Sequence, residues 1–227
     1  MQASSRLSLS APVLCLVTDP ALTTRPLDGV VGECVAAGVD LVQVRARSLS
    51  GRSLLAHTER ILRAARDAAG ASDRTVRVVV NRRVDVALAC GADGVHLGFD
   101  GMPVADARRC LGPDAWIGVS AHDPGEVAAA GAAGADYAHL APIHAPLSKA
   151  ASRVPLGPAA LTEAARSRLP TLAQGGITPE NAAACLLAGA AGVAVTGTLL
   201  QAADPGAATR ALRSHLDSGR PSLRAPR

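Results

Sequence analysis

Hydrophobic and polar positions follow one recurring pattern along this chain. An Ala-rich stretch ends at a glycine, a small residue follows, and a short apolar run comes next. The pattern recurs at residues 36–44, 89–97, 132–140 and 187–195. Its glycines lie about 50 residues apart, a spacing typical of internal structural repeats, and they are Gly38, Gly91, Gly134 and Gly189. Each copy predicts a helix that ends at a glycine and a buried strand that follows it.

Each interval between two copies has room for one more strand and one more helix. The additional strands are expected at residues 13–18, 75–81, 115–120 and 170–174. The helices are expected near residues 26–37, 50–70, 83–90, 103–111, 124–133, 157–168, 178–188 and 204–217. Short apolar strands that alternate with helices form a parallel sheet with right-handed crossovers. Eight such units predict an α/β fold, a single-domain (β/α)8 TIM barrel over residues 11–217.

An open, doubly wound sheet is the alternative architecture. Such sheets bind dinucleotides through a G-x-G-x-x-G turn, and no expected strand of this sequence is followed by one. Outside the barrel, we expect residues 1–10 to form a flexible N-terminus. Residues 218–227 are expected to be a disordered basic tail, because three arginines lie there among prolines.

Composition narrows the classes of function. Apolar residues make up 48% of the chain but Trp, Tyr and Phe occur once each, so the core is expected to consist of Ala, Val and Leu. The net charge is +4, yet aromatic side chains that could stack on bases are scarce, so no nucleic acid partner is expected. The apolar run at 12–18 is too short for a membrane span, and no membrane partner is expected. Five widely spaced cysteines, without a C-x-x-C motif, predict a cytoplasmic protein with neither a disulfide framework nor a zinc site. Four of them, Cys34, Cys90, Cys110 and Cys185, lie in Ala-rich helical stretches and are expected to be buried.

The loops after the seventh and eighth expected strands have the composition of a phosphate site. Gly175 and Gly176 follow strand seven and would let backbone N–H groups approach an oxyanion. Thr196 and Gly197 follow strand eight, where a short extra helix could begin. The alternative is that the two glycines form only a tight turn. Because both loops match the phosphate cradle of many TIM barrels, we expect them to bind a phosphate group.

Polar side chains also mark the end of strand two. Alternation along the strand places Gln43, Arg45 and Arg47 on one side of it. A guanidinium group presents a fork of N–H donors that matches phosphate and carboxylate. We therefore expect these three residues to bind substrate, with surface ion pairing of the arginines as the alternative.

Further candidate residues lie at other strand ends. Asn81 ends strand three, Ser120 ends strand five, and Ser148 and Lys149 lie in the long loop after strand six. His122 follows strand five at the barrel mouth and is the candidate catalyst, because imidazole titrates near neutral pH and can take and return a proton. Of the other histidines, His96 and His139 lie inside strands and are expected to pack in the core, and His57 and His215 are expected on helix surfaces. His144 at the mouth is a weaker catalytic candidate, as is His139.

In this order along the chain, these residues resemble the superfamily of thiamine-phosphate synthases and TenI proteins. The matching stretches cover nearly the whole barrel, at residues 16–19, 43–47, 80–87, 91–98, 118–122, 134–137, 141–143, 148–149 and 175–177. The resemblance implies a role in thiamine biosynthesis, which joins a thiazole phosphate to a pyrimidine diphosphate. A small phosphorylated thiazole is therefore the expected substrate.

Four features depart from the synthase pattern, and one of them is the altered loop at residues 145–149. In the synthases, as the resemblance implies, an Asp follows the Asn at the end of strand three and a second carboxylate lies in the loop after strand four, where both hold Mg²⁺ on the pyrimidine diphosphate. Here Arg82 follows Asn81 in place of that Asp. In the loop after strand four, Gly101 takes the position of the second carboxylate, and Asp100 lies one residue before it. Arg47 also resembles the TenI version of strand two, since the synthases usually have Lys there.

These departures favour the TenI branch of the superfamily. The resemblance then implies an isomerase, a thiazole tautomerase that aromatises a carboxythiazole phosphate by proton transfer at His122. No metal or cofactor is expected, and Mg²⁺ only if the chain is a thiamine-phosphate synthase instead. That synthase is one alternative. A second is a non-catalytic regulator that binds a thiamine intermediate. A third is another barrel that acts on a phosphate sugar, such as an epimerase. Association into a homo-oligomer stays open.

Overall fold

The repeating units of the sequence each fold as a strand followed by a helix. The computed structural model of the protein describes residues 12–98, 100–145 and 153–219. Its strands are β1 (Val13–Val17), β2 (Leu41–Val44), β3 (Arg77–Asn81), β4 (Gly94–Leu97), β5 (Trp116–Ala121), β6 (Tyr137–Leu140), β7 (Thr171–Gln174) and β8 (Gly192–Val195). Each strand pairs in parallel with the next, and β8 pairs with β1, so the sheet closes. The predicted (β/α)8 barrel is confirmed.

Helices follow the strands around the outside of the barrel. They are α1 (Leu27–Ala37), α2 (Gly51–Ala71), α3 (Val84–Cys90), α4 (Val104–Leu111), α5 (Pro124–Ala132), α6 (Ala159–Ala164), α7 (Pro179–Leu187), α8 (Gly197–Leu200) and α9 (Pro205–Ser218). The helix expected at 157–168 is shorter than predicted, because a 3-10 turn at Ala165–Ser167 ends it. Among the described residues, no helix has the length and apolar character needed to cross a membrane.

Local sequence signals explain where several helices begin and end. α5 and α9 each begin at a proline preceded by an aspartate. The Asp123 carboxylate accepts the backbone N–H of Glu126 at 2.9 Å, and the Asp204 carboxylate accepts that of Ala207 at 2.8 Å. α3 ends at Gly91, which has a left-handed φ of 64°, as the repeat pattern predicts.

Side chains of alternate strand positions fill the interior of the barrel. They form a cluster of Val13, Cys15, Val17, Leu41, Val79, Trp116, Tyr137, Leu172 and Ala194. The one Trp and the one Tyr of the chain both lie in this cluster, so the interior is less purely aliphatic than composition predicts. Gly118 allows this packing, because a Cβ there would lie 2.1 Å from Cζ of Tyr137.

Three copies of the repeat carry an aspartate that ties adjacent strands together before β2, β4 and β6. Each carboxylate accepts a backbone N–H of the preceding strand at 2.8 or 2.9 Å: Asp40 from Leu14, Asp93 from Val78, and Asp136 from Ile117. Each also pairs with arginine, namely Asp40 with Arg74 and Arg213, Asp93 with Arg77, and Asp136 with Arg108. These residues lie at the N-terminal ends of the strands, the face that serves stability in this fold.

Two sequence-based expectations about burial are wrong. His57 lies on the buried face of α2, not on the helix surface. Cys110 is exposed in α4, although an Ala-rich helix was expected to bury it. The expectations for residues 1–10, and for the tail beyond residue 219, fall outside the described residues.

Candidate functional site

A pocket of about 330 Å³ opens at the C-terminal ends of the barrel strands. Ten of the twelve residues that the sequence nominates for catalysis or substrate binding line it: Gln43, Arg45, Arg47, Asn81, Ser120, His122, Gly175, Gly176, Thr196 and Gly197. The other two, Ser148 and Lys149, lie outside the described residues. The fold thus brings the ten residues to one cavity, while their roles stay predictions.

Arg45 is fixed in the pocket wall by an ion pair. Its Nη1 lies 2.6 Å from Oδ2 of Asp19, and both side chains are less than one-third exposed. The Arg45 backbone N–H donates to Oγ1 of the buried Thr18 at 2.9 Å, which joins the ends of β1 and β2. The alternative for the strand-two arginines was ion pairing at the surface. Arg45 does form an ion pair, with Asp19, but both residues line the pocket.

The side-chain amides of Gln43 and Asn81 meet across β2 and β3. Nε2 of the buried Gln43 donates to Oδ1 of Asn81 at 3.1 Å. Neither the amide oxygen of Gln43 nor the amide nitrogen of Asn81 has a side-chain hydrogen bond within the described ranges. The pair therefore offers one acceptor and one donor to a molecule in the pocket.

Arg47 lies within the electrostatic reach of both Arg45 and Arg82, and we call Arg45, Arg47 and Arg82 the arginine rim. Nη2 of Arg82 donates to Oδ1 of Asp100 at 2.7 Å. Arg47 makes no hydrogen bond or ion pair with the part of the chain that the structure describes. The positive charge of Arg45 lowers the pKa of Arg47, followed by burial and by the charge of Arg82. Arg82 and Asp100 pair beside the pocket without lining it, and the lining residues Arg45 and Arg47 face one acid, Asp19, so this side of the pocket has an excess of positive charge.

His96 is a site residue that sequence reasoning missed, because a histidine within a strand was expected to pack in the core. It lines the pocket from β4, and its Nε2 lies 3.0 Å from Oγ of Ser120. Its Nδ1 lies 3.2 Å from the hydroxyl of the buried Tyr137. Burial, and then the neighbouring His139, hold the pKa of His96 well below its ordinary value. The neutral ring carries one N–H, so it donates to one neighbour, accepts from the other and orients the Ser120 hydroxyl.

His139 lies behind His96, with the ring centroids 4.3 Å apart. It is buried, and neither ring nitrogen has a hydrogen bond of normal geometry to the described residues. Burial lowers the pKa of His139 to about 3, while the Gln174 side chain opposes this shift in smaller measure. His139 thus fits the expectation of a packed core histidine, and His96 fits it only in part. A signal for His96 was available, since Ser120 and His96 are polar residues on neighbouring strands.

The loop after β7 forms another part of the pocket wall. Gly175 and Gly176 have left-handed φ values of 95° and 61°. A Cβ on Gly176 would lie 2.3 Å from the carbonyl oxygen of Ala145 and 2.8 Å from Cβ of His144. Glycine is therefore needed here for the β7 loop to pack against the β6 loop, a reason that the sequence did not show.

Side-chain hydrogen bonds hold the β7 loop in place. Nδ2 of Asn181 donates to the Gly176 carbonyl oxygen at 2.8 Å. Oγ1 of Thr198 donates to the carbonyl oxygen of Ile177 at 2.6 Å and so joins the loops after β7 and β8. The short helix α8 begins at Gly197, where the sequence indicated an extra helix. Both loops of the expected phosphate cradle therefore line one side of the pocket.

His122, the expected catalyst, lines the pocket after β5. Its Nδ1 lies 3.4 Å from Oε2 of Glu126, and the same carboxylate oxygen accepts the His122 backbone N–H at 2.7 Å. His144, the weaker candidate, is absent from the pocket lining, and its Nε2 lies 3.9 Å from Sγ of Cys185. Of the two histidines at the barrel mouth, His122 therefore lines the pocket and His144 does not.

Comparison with known proteins identifies the family. Residues 14–199 match the family model described as thiamine monophosphate synthase. The chain belongs to this family. The thiamine-phosphate synthase of Chlorobium luteolum is 40% identical over 211 residues, which cover 92% of this chain and 95% of that protein. The putative thiamine-phosphate synthase of Geobacter sulfurreducens is 44% identical over 189 residues, which cover 83% of this chain and 86% of that protein.

Solved structures agree with this assignment. The thiamine phosphate pyrophosphorylase from Pyrococcus furiosus is 28% identical, with a TM-score of 0.77 over 92% of this chain and 97% of that chain. A 3-hexulose-6-phosphate synthase, 21% identical with a TM-score of 0.65 over 90% of this chain and 99% of that chain, shares the fold.

The interpretation as a TenI-branch tautomerase is wrong. Relatives at 40% and 44% identity are named thiamine-phosphate synthases, and such names point to a transferase instead of an isomerase. The tautomerase interpretation relied on local departures near Arg82 and Gly101, whereas the similarity to synthases extends along the whole barrel. The assignment of His122 as the proton-transfer catalyst of a tautomerase is withdrawn with it.

Proposed function

We propose that this chain is a thiamine-phosphate synthase, which joins a thiazole phosphate to a hydroxymethylpyrimidine diphosphate and releases diphosphate. The observation that carries the proposal is the 40% identity to the Chlorobium luteolum thiamine-phosphate synthase over 92% of the chain. Identity over nearly the whole barrel includes the strand ends, where enzymes of this fold carry their catalytic groups.

The pocket supports the proposal because it has two walls suited to anions. The loops after β7 and β8 offer glycine backbone at Gly175, Gly176 and Gly197, which suits the phosphate of the thiazole. The arginine rim offers guanidinium groups, which suit the diphosphate of the pyrimidine. This arrangement suits two phosphorylated substrates, because each wall can hold one phosphorylated end while the reacting ends meet between the walls.

The polar groups between these walls suit an aminopyrimidine ring. The ring presents both donors and acceptors, and the Gln43–Asn81 pair offers one of each. The Ser120 hydroxyl, held by the neutral His96, is a further partner. In the proposed complex these groups orient the pyrimidine so that its methylene carbon faces the thiazole.

The proposed reaction exchanges one bond for another. The thiazole nitrogen supplies an electron pair to the methylene carbon, and a C–N bond forms. The C–O bond to the diphosphate breaks, and the diphosphate leaves with that electron pair. No proton has to move in this exchange, so the site needs positioning and charge stabilisation more than a general base.

The family implies Mg²⁺ on the diphosphate, and the described residues do not fit that ion. Mg²⁺ usually depends on one or two carboxylates together with phosphate oxygens. Asp19 and Asp100 are each paired with an arginine, at 2.6 and 2.7 Å. We therefore derive no step through Mg²⁺.

Two reactions of the purified protein test the proposed function. The first contains thiazole phosphate and pyrimidine diphosphate with Mg²⁺ present, and chromatography measures thiamine phosphate. The second contains the carboxythiazole phosphate tautomer alone, and the change in its absorbance measures aromatisation. We expect product in the first reaction and none in the second. Aromatisation without coupling would contradict the proposal.

A further inference from the structure

The end of β3 places a cation where the family implies a metal ligand. Arg82 directly follows Asn81, and its guanidinium pairs with Asp100 from the loop after β4. The two loops that would supply acidic ligands are therefore joined by an arginine–aspartate pair. A divalent cation at this place would meet the positive charge of Arg82, and its nearest carboxylate already has a cationic partner.

The backbone conformation at Arg82 and the glycine at position 98 accommodate this ion pair. Arg82 has a φ of 65°, a left-handed conformation that Asn, Asp and Gly adopt more readily than Arg. Strained conformations of this kind persist mostly at functional sites. Gly98 leaves space for the pair, because a Cβ there would lie 3.1 Å from Oδ1 of Asp100 and 3.2 Å from Cζ of Arg82. The Gly101 backbone N–H donates to the Gly98 carbonyl oxygen at 2.9 Å and closes the turn that presents Asp100.

Arg47 lies in the same rim without a compensating partner among the described residues. Its guanidinium is close enough to Arg45 and Arg82 for both to act on its charge, and Asp19 and Asp100 act on it in the opposite sense. Asp19 and Asp100 are held by Arg45 and Arg82. The exposed guanidinium of Arg47 therefore has N–H donors at the pocket that no described residue accepts.

We propose that Arg47 and Arg82 bind the diphosphate group of the substrate directly, in place of a divalent cation, so that diphosphate binding needs no Mg²⁺. This inference builds on the proposed synthase function. Guanidinium groups match phosphate oxygens with paired N–H donors and remain charged at all working pH values. As the C–O bond breaks, negative charge grows on the departing diphosphate, and fixed guanidinium groups stabilise it without first binding an ion.

The Arg82–Asp100 pair is suited to an exchange of partners. The two side chains are 39% and 52% exposed, so solvent screens their attraction and the pair is easily opened. A diphosphate carries more charge than one carboxylate and offers several acceptor oxygens. Arg82 can therefore turn from Asp100 to the ligand, and Asp100 holds Arg82 near the pocket until then.

Binding of inorganic pyrophosphate to the whole protein tests this inference without turnover. Isothermal titration in EDTA would compare the parent with Arg47→Gln, Arg82→Gln and the control Arg83→Gln. Arg83 follows Arg82 in the sequence, but its guanidinium pairs with the exposed Asp85 of α3 instead of Asp100. We expect the parent to bind in EDTA about as tightly as in Mg²⁺. The two rim variants should bind about 10- to 100-fold more weakly, the effect of losing hydrogen bonds to a charged group, and the control should bind like the parent.

A second variant separates a binding defect from misfolding. Arg82→Asp suits the left-handed backbone and should keep the thermal midpoint of the parent. It should bind pyrophosphate poorly in EDTA and recover with Mg²⁺, because two carboxylates then lie together. Parent binding that requires Mg²⁺, or rim variants that bind like the parent in EDTA, would overturn the inference.

The coupling reaction distinguishes failure of this inference from failure of the proposed function. Thiamine phosphate formed at similar rates in EDTA and in Mg²⁺ supports both. Coupling that occurs only with Mg²⁺ overturns the inference and leaves the synthase function standing. No coupling in either buffer, with arginine-dependent pyrophosphate binding intact, overturns the function and leaves the binding inference standing.

Discussion

At the scale of single residues, Arg82 was one basis of the tautomerase interpretation, which the similarity to thiamine-phosphate synthases then overturned. An arginine in the place of an acid indicates a lost metal site, and the tautomerase hypothesis followed from that loss. The structure pairs Arg82 with Asp100 beside Arg47. In our account the site keeps its affinity for a diphosphate and changes the cation that provides it. A substitution at a metal ligand is thus weak evidence about activity until its neighbours are known.

Gly176 gives a residue-scale prediction about the phosphate wall. Gly176→Ala should lower the free energy of unfolding by about 2–4 kcal/mol, since it combines a left-handed backbone with a Cβ that strikes Ala145. The displaced loop should also weaken binding of thiazole phosphate at least tenfold. Chemical denaturation and titration calorimetry measure the two effects.

Gly91→Ala is the matched control. Gly91 has a similar φ of 64°, and a Cβ there meets nothing within 4 Å. It should lose about 1 kcal/mol from backbone strain alone and bind thiazole phosphate like the parent. Equal ligand affinities in both variants would show that the β7 loop does not form the phosphate wall.

At the scale of elements, the two ends of the strands have different roles, stability at one end and the pocket at the other. The N-terminal ends are joined by the aspartates of the repeat, and the C-terminal ends carry the pocket. The fourth copy has Ala191 where the others have an aspartate. The repeated Asp is therefore a structural device with no part in the chemistry, although acidic residues at regular spacing could suggest a catalytic role.

Asp136 provides the element-scale prediction. Its carboxylate accepts the Ile117 backbone N–H at 2.8 Å and pairs with Arg108 at 2.7 Å, with only 9% of the side chain exposed. Asp136→Ala should lower the free energy of unfolding by about 3 kcal/mol, because a buried donor and a partly buried cation both lose their acceptor. The exposed Asp106–Arg109 pair is the control, and Asp106→Ala should cost less than about 1 kcal/mol. Equal losses in urea denaturation would refute a special role for the repeat aspartate.

At the scale of the whole molecule, the architecture was predictable and the chemistry only in part. The glycine-terminated repeat predicted four strands and the apolar runs between its copies predicted the other four, because a helix C-cap and a buried apolar run are local signals. The pocket positions of the arginines after β2 and of the glycines after β7 were also predictable, since the C-terminal ends of parallel strands meet at one face. The partners of Arg45 and Arg82 were not predictable, because Asp19 and Asp100 come from other loops. The pocket position of His96 depends on the barrel's closure and register, for which the sequence offered one signal, the polar Ser120 on the neighbouring strand.

Burial of two histidines in the barrel makes the stability of the whole molecule depend on pH. The pKa of His139 is lowered to about 3 and that of His96 is also well below its usual value, whereas both would be about 6.5 in the unfolded chain. The unfolded state therefore binds more protons, and stability falls as the pH drops below about 6.5. Between pH 7 and 5.5 the two histidines should together remove about 2–3 kcal/mol, and His139→Gln should remove about half of that dependence. Urea midpoints that stay constant over this range would contradict the burial of both rings.

Synthase activity is tested by following both products of coupling in one reaction. Purified protein would receive thiazole phosphate and pyrimidine diphosphate, and thiamine phosphate and free diphosphate would be measured over time. We expect the two products to form in a one-to-one ratio, and neither to form when either substrate is omitted. Diphosphate release without thiamine phosphate, or no product with Mg²⁺ present and none in EDTA, would contradict the assignment as a thiamine-phosphate synthase.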